Sequence, residues 1–193
     1  ISKRTDGVPL FVEEMTKAVL ESGVLQERQG ELVPAGPLDT LPIPETLHDS
    51  LMARLDRMGQ AKDIAQIASV IGRDFSYRLL CEVAPFDEST LQRELKQLVE
   101  AELIFQRGRF PRATFLFKHA LVQDTACESL LRRHRQKWHG KIAEALLEKF
   151  ADVAAAEPEV IARHFDEAKQ TEQAVEWWTK AALLAQEQSA HDA

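Results

Sequence analysis

The sequence predicts a mainly α fold with one or two small β-hairpins. Apolar residues recur at spacings of three and four through most of the chain, as expected for amphipathic helices. Gly and Pro are scarce, with eight of each, and the stretches of strand-forming residues are short. The 193 residues, of which 45% are hydrophobic and 28% charged, suffice for one large domain or two small ones.

Residues 1–58 are predicted to form a helical lid segment with a short hairpin and a linker. Its first helix begins at Pro9, a residue suited to the first helical position, and ends before Gly23. A hairpin over residues 24–33 follows, and then residues 34–44 with four prolines. A second helix after this linker has an apolar face and ends at Gly59; that face comprises Leu47, Leu51, Leu55 and Met58.

Residues 59–131 are predicted to be a winged-helix domain. Helices are expected over residues 61–71 and 77–83, and a third over residues 87–101 starts at the capping residue Asp87. The segments 103–106 and 114–117 then form a hairpin with a basic tip. Three helices followed by a hairpin is the order of a winged helix, which we place at about residues 60–118. A further helix over residues 119–131 completes the predicted domain.

Residues 132–193 are predicted to begin a helical array similar to tetratricopeptide (TPR) repeats. Helices are expected over residues 135–150, 157–169 and 172–188. The inner faces of the last two are expected to comprise Ala162, His164, Phe165, Ala168, Ala174, Trp177, Trp178 and residues 181–184. One repeat cannot bury its own apolar face, so we expect further helices beyond Ala193. We also expect that Ile1 follows other residues of a longer polypeptide.

Two motifs resemble those of the STAND family of signal-transduction ATPases. The segment over residues 5–14 is similar to the family's Gly-x-Pro segment, with Gly7-Val8-Pro9 in place of Gly-Asn-Pro. The segment over residues 117–124 is similar to the end of the family's winged helix, where a histidine contacts the nucleotide. Here that histidine is His119, and Ala120 stands where the family has an acid.

The resemblance implies a regulatory role with Gly7, Pro9 and His119 as contacts to ATP or ADP in the parent protein. It also implies a Mg²⁺-dependent nucleotide-binding core upstream, helical repeats downstream, and output domains such as class III nucleotide cyclases or transcriptional activators. We expect this chain itself to be no enzyme and to hold no cofactor or metal, because it has no Gly-x-x-x-x-Gly-Lys-Ser/Thr phosphate loop. A cytoplasmic location follows from the family.

Purely structural roles for the residues expected to contact the nucleotide remain open. Pro9 is equally a helix-start proline, and His119 is equally a capping or core histidine. Cys81 and Cys127 are expected to be buried thiols rather than a disulfide. Trp177 and Trp178 are either a partner-binding pair or packing residues.

The charged residues leave two rival functions open: a DNA-binding winged-helix regulator and a nucleotide-independent protein-interaction module. The net charge of −7, and four acids against two bases over residues 87–101, argue against nucleic acid. No apolar run approaches a membrane span. Two basic clusters are either anion or partner surfaces or solvated faces: Arg107, Arg109 and Arg112 at the wing, and Arg132, Arg133 and Arg135 near a helix junction.

Overall fold

The computed structural model describes residues 12–13, 16, 25–28, 31–34 and 46–191, and it divides the chain into two compact units, 1–59 and 60–193. The predicted mainly α fold class is confirmed. The predicted linker over residues 34–44 lies outside the described residues except for Pro34, which belongs to a strand. Most of the first helix also lies outside them, and of it Val12, Glu13 and Thr16 are helical. The predicted division into residues 1–58, 59–131 and 132–193 stays a prediction.

The first unit contains the predicted hairpin and one fully described helix. Strands β1 (Leu25–Arg28) and β2 (Glu31–Pro34) pair antiparallel, with Leu25 opposite Pro34. Helix α1 (Leu47–Asp56) begins two residues later than expected because Thr46 caps it: its hydroxyl oxygen accepts a hydrogen bond from the backbone N–H of Asp49 at 3.1 Å. Leu51 and Leu55 are fully buried, as the spacing predicted.

The second unit begins with the predicted three helices and hairpin. Its helices are α2 (Gln60–Ile71), α3 (Tyr77–Val83) and α4 (Glu88–Glu100), and its hairpin strands are β4 (Ile104–Arg107) and β5 (Thr114–Phe117). The sequence did not predict strand β3 (Asp74–Ser76), which pairs antiparallel with β5 to give the sheet order β3-β5-β4. Residues 60–117 therefore run helix, strand, helix, helix, hairpin.

The core between the helices and the sheet is built from the residues that the helical spacing selected. Leu91, Leu95 and Leu98 of α4 are all fully buried. Phe75 of β3 stacks on Phe115 of β5 with ring centroids 5.5 Å apart. The three-residue strand β3 thus contributes an aromatic ring to the core.

The remaining helices of the second unit are α5 (Ala120–Glu128), α6 (Arg132–Lys149), α7 (Ala151–Ala156), α8 (Pro158–Glu167) and α9 (Thr171–His191). Helix α6 packs on α2 and α3 on one side and on α8 on another, while α9 packs on α8. This continuous packing through α6 makes residues 60–193 one compact unit.

The predicted inner face of α9 is partly wrong. Ala174 is buried, and Trp177, Ala181 and Leu184 are half-buried, in line with the prediction. Trp178 is 46% exposed and Leu183 is 56% exposed. The helix presents only one side to α8, and it therefore leaves a second row of apolar side chains at the surface.

Two further helix predictions also need correction. Helix α6 begins at Arg132 instead of residue 135, and α5 ends at Glu128 instead of residue 131. The short helix α7 was not predicted. A cationic first turn opposes the helix dipole, so a helix start at Arg132, with Arg133 and Arg135 in the same turn, is not one that local pattern favours.

Candidate functional site

Of the three residues expected to face a nucleotide, the structure describes His119; Gly7 and Pro9 lie outside the described residues. His119 stands between β5 and α5, at the N-cap position of the helix. Its backbone is extended, with φ −133° and ψ 146°, and its carbonyl oxygen accepts a hydrogen bond from the N–H of Val122 at 3.1 Å. The backbone of His119 therefore starts the helix in the ordinary way.

The side chain of His119 is not used as a cap. It makes no capping hydrogen bond to α5, so the capping interpretation is wrong. Its Nε2 atom is buried and has no hydrogen-bond partner within the described part of the chain. An unsatisfied buried polar atom costs stability, typically about 1–3 kcal/mol. Such an atom is uncommon in native proteins, where a water, an ion or a functional contact usually accounts for it.

The residues on both sides of His119 contact other parts of the second unit. Lys118 forms an ion pair with Glu102 at 3.1 Å, and its backbone N–H donates to the carbonyl oxygen of Leu103 at 3.0 Å. One turn into α5, the Nε2 of Gln123 donates to the carbonyl oxygen of Ser69 in α2 at 3.0 Å. These contacts join the chain on the two sides of His119 to the residues that precede β4 and to α2.

The predicted basic tip of the hairpin is exposed. Arg107, Arg109 and Arg112 are all solvent-accessible, and none of them forms an ion pair with another described residue. Phe110, between them, packs edge-on against the buried ring of Tyr77 with centroids 4.6 Å apart. The tip is thus fixed to α3 by an aromatic contact while its guanidinium groups face water.

Helix α4, which would be the recognition helix if this region is a winged helix, carries three acidic and two basic side chains. Glu94 is buried and is paired with the exposed Arg93, whose Nη2 lies 2.7 Å from its Oε1. Lys96 lies 3.6 Å from Glu100. Both basic side chains of α4 are therefore already engaged with acids, which leaves no free cation on this helix among the described residues.

The three arginines of the second predicted basic cluster lie in different environments. Arg132 and Arg133 are exposed in the first turn of α6, whereas Arg135 is half-buried and lines a pocket of about 340 Å³. We call this the basic pocket; its charged and polar lining includes Gln123, Cys127, Arg135, His139, Arg163 and Glu167. The sequence did not predict this grouping, because its members come from α5, α6 and α8.

Two histidines form a buried pair beside the basic pocket. The Nδ1 atoms of His139 in α6 and His164 in α8 are 2.8 Å apart. The pKa of His139 is lowered to about 4, mainly by burial; Glu167 raises it, and Arg163 and Arg135 lower it. Burial and the neighbouring His139 lower the pKa of His164 to about 3. Both rings are neutral at physiological pH, and one nitrogen donates its proton to the other.

The cysteines are free thiols, and both are half-buried rather than fully buried as expected. Burial raises the pKa of the Cys81 thiol, which makes it a poor nucleophile. Within residues 46–191 and the shorter described segments, no three His, Cys, Asp or Glu side chains are grouped so that they could hold a metal ion. None of the helices in the described residues is both long and apolar enough to cross a membrane.

The comparisons with known proteins found one distant similarity. The chain is 28% identical over 194 residues to an uncharacterized protein of Rhizobium meliloti (strain 1021), an alignment that covers 95% of this chain. The same alignment spans only 18% of the relative, which is therefore a much longer protein than this chain. No protein-family model matches the chain.

Proposed function

We propose that this chain is a non-catalytic regulatory region of a multidomain signalling ATPase of the STAND type. It would relay the nucleotide state of an upstream core to downstream repeats and output domains. Residues 59–131 would be its winged helix, and residues 132–193 the start of its TPR-like array. The observation that best supports the proposal is the buried Nε2 of His119, which has no partner among the described residues.

His119 would act as the contact between nucleotide and helices. The N-terminus of a helix favours anions because its N–H groups and its dipole point toward them. An imidazole at the start of α5 is therefore well placed to meet a nucleotide phosphate once a core domain presents one. The contact would favour one arrangement of the regulatory helices when ADP is bound.

The packing of the second unit supplies a path for the relay. Helix α5 is joined to α2 by the Gln123–Ser69 hydrogen bond and by Gln66, whose Nε2 donates to the hydroxyl of Ser129 at 2.7 Å. Helix α2 packs against α6, and α6 packs against α8. A shift at His119 would thus move these helices as a body, which is how rigid-body switches work.

The test is ADP affinity in the chain extended by the residues that precede Ile1 in its gene. His119→Ala is expected to weaken ADP binding about tenfold, the effect of losing one charge-assisted hydrogen bond. His134→Ala, at an exposed position of α6, is the matched control and should leave ADP affinity unchanged. If the His119→Ala protein binds ADP as tightly as the wild type does, the sensor role is wrong.

A second candidate function, a nucleotide-independent interaction module, is favoured by the exposed row on α9. Val175 is 60% exposed and Trp178 is 46% exposed, and they lie three residues apart on one side of the helix. An exposed tryptophan is a frequent anchor in protein interfaces. Partner binding that Trp178→Ala abolishes, but that does not differ between ADP and ATP, would favour this candidate over the relay.

A further inference from the structure

The basic pocket carries more positive charge than its own residues neutralise. Arg135 and Arg163 both line it, and neither forms an ion pair with another described residue. Glu167 is the one acidic side chain in its lining. Because guanidinium groups stay charged at every physiological pH, the lining has a net charge of about +1.

The field of the two arginines reaches into the pocket. Both lower the pKa of His139, whose ring lies in the pocket wall, so both positive charges lie near the same part of the pocket and repel each other there. A bound anion would relieve this repulsion. Neutral donors are also present: Gln123 uses one amide N–H on the Ser69 carbonyl, which leaves a second N–H for a ligand.

We propose that the basic pocket binds a small phosphate-bearing ligand through Arg135 and Arg163. Two guanidinium groups from different helices suit the several oxygens and double charge of a phosphate group, whereas one arginine alone can satisfy a carboxylate. The volume of about 340 Å³ falls within the usual range for small-molecule sites. The ligand would contact α5, α6 and α8 together, and so would tie these three helices to one another.

The proposal does not depend on the relay function, and inorganic phosphate is the probe that tests it. Titration calorimetry at constant ionic strength should show saturable binding to the chain. Arg135→Gln and Arg163→Gln are each expected to weaken phosphate binding about tenfold, as the loss of a charge-assisted hydrogen bond predicts. Lys149→Gln removes the same charge from the far end of α6 and should change the affinity less than about twofold.

One variant is expected to strengthen binding, and misfolding cannot mimic that result. Glu167→Gln removes the carboxylate that repels an anion, and it should tighten phosphate binding severalfold. Acetate, with a single charge, should bind more weakly than phosphate. Far-ultraviolet circular dichroism of each variant checks that the fold is intact.

Several outcomes would overturn the proposal. These are an absence of saturable phosphate binding, an equal loss in Lys149→Gln and Arg163→Gln, or an unchanged affinity in Glu167→Gln. Acetate binding as tight as phosphate binding would contradict the assignment of a phosphate group. Titration with glucose 6-phosphate and with glucose then separates a sugar phosphate, which should bind at least as well as free phosphate, from a site that accepts the free ion alone.

Discussion

The imidazole rings of His139 and His164 contact each other in the interior at an interplanar angle of 45°, with their Nδ1 atoms 2.8 Å apart. His139 is 9% exposed and His164 is 1% exposed. The contact joins α6 to α8 within the second unit; α6 also packs on α2 and α3, and α8 also packs on α9. It is also the one place in the described residues where two buried titratable rings share a hydrogen bond.

This pair predicts an acid-sensitive fold. Both folded-state pKa values, about 4 and about 3, lie below the ordinary value of 6.5, so the folded protein binds fewer protons than the unfolded chain. The stabilisation is complete above about pH 6.5 and is lost as the pH falls toward 4. Urea unfolding should show a loss of about 4 kcal/mol between pH 7.5 and pH 5, roughly 2 kcal/mol for each histidine.

Substitution of the two histidines tests whether they cause the acid sensitivity. Arg135, Arg163 and Glu167 are the charged side chains whose fields act on the pair. The double variant His139→Gln/His164→Gln should flatten the pH dependence, while replacement of the exposed His134 by Gln should not. A double variant that keeps the full wild-type slope would show that other groups cause the acid sensitivity.

Lys169 offers a stabilising substitution. It follows the end of α8 with φ +63°, in the left-handed region, while the N–H of Gln170 donates to the carbonyl oxygen of Phe165 at 2.9 Å. This is a Schellman ending, in which glycine is the usual residue at the left-handed position. Lys169→Gly should raise the free energy of unfolding by about 0.5 kcal/mol, because relief of the backbone strain exceeds the added chain entropy.

Lys149→Gly is the control for this substitution, since Lys149 is the last residue of α6. It should lower the free energy of unfolding by up to about 1 kcal/mol, the ordinary cost of glycine in a helix. Urea denaturation at pH 7.5 measures both. If Lys169→Gly destabilises as much as Lys149→Gly does, the left-handed backbone at Lys169 is wrong.

The two faces of α9 should respond differently to polar substitution. Ala174 is 4% exposed against α8, so Ala174→Gln should cost about 1–3 kcal/mol through crowding and burial of an amide. Trp178 is 46% exposed, and Trp178→Gln should change stability by less than about 0.5 kcal/mol. Thermal melts compare the two; an equal loss would mean that Trp178 is covered in solution.

We expect no functional DNA binding by the second unit. Both basic side chains of α4 are engaged with acids, and the hairpin offers only Arg107, Arg109 and Arg112. Fluorescence anisotropy with a duplex should show at most weak binding, which Gln at all three hairpin arginines removes. Tight binding that falls steeply with salt and survives in that triple variant would support the rival DNA-binding function.

The sequence predicted those parts of the fold that depend on local pattern. Leu91, Leu95 and Leu98 recur at helical spacing, and Asp87 caps their helix, so α4 was predictable almost to the residue. Strand β3 was not predictable in this way, because its three residues are defined by pairing with β5, some 40 residues later. The outward row of α9 was missed because apolar spacing cannot say which of two faces meets a neighbour.

In the candidate site, too, local features were predictable and features created by long-range packing were not. His119 could be singled out from its local motif, although its lack of a capping bond could not be foreseen. The partnership of His139 with His164, 25 residues apart, has no local signal. The convergence of Arg135 with Arg163 has no local signal either. The packing of α6 on α8 creates both the histidine pair and this convergence.

The most direct test of the relay is amide hydrogen exchange in the chain extended by the residues that precede it, compared between ADP and a non-hydrolysable ATP analogue. We expect the amides of the first two turns of α5, which follow His119, to be protected more strongly with ADP. We also expect that His119→Ala removes the difference while His134→Ala keeps it. Equal exchange of α5 in both nucleotide states, in a protein that binds both nucleotides, would contradict the relay.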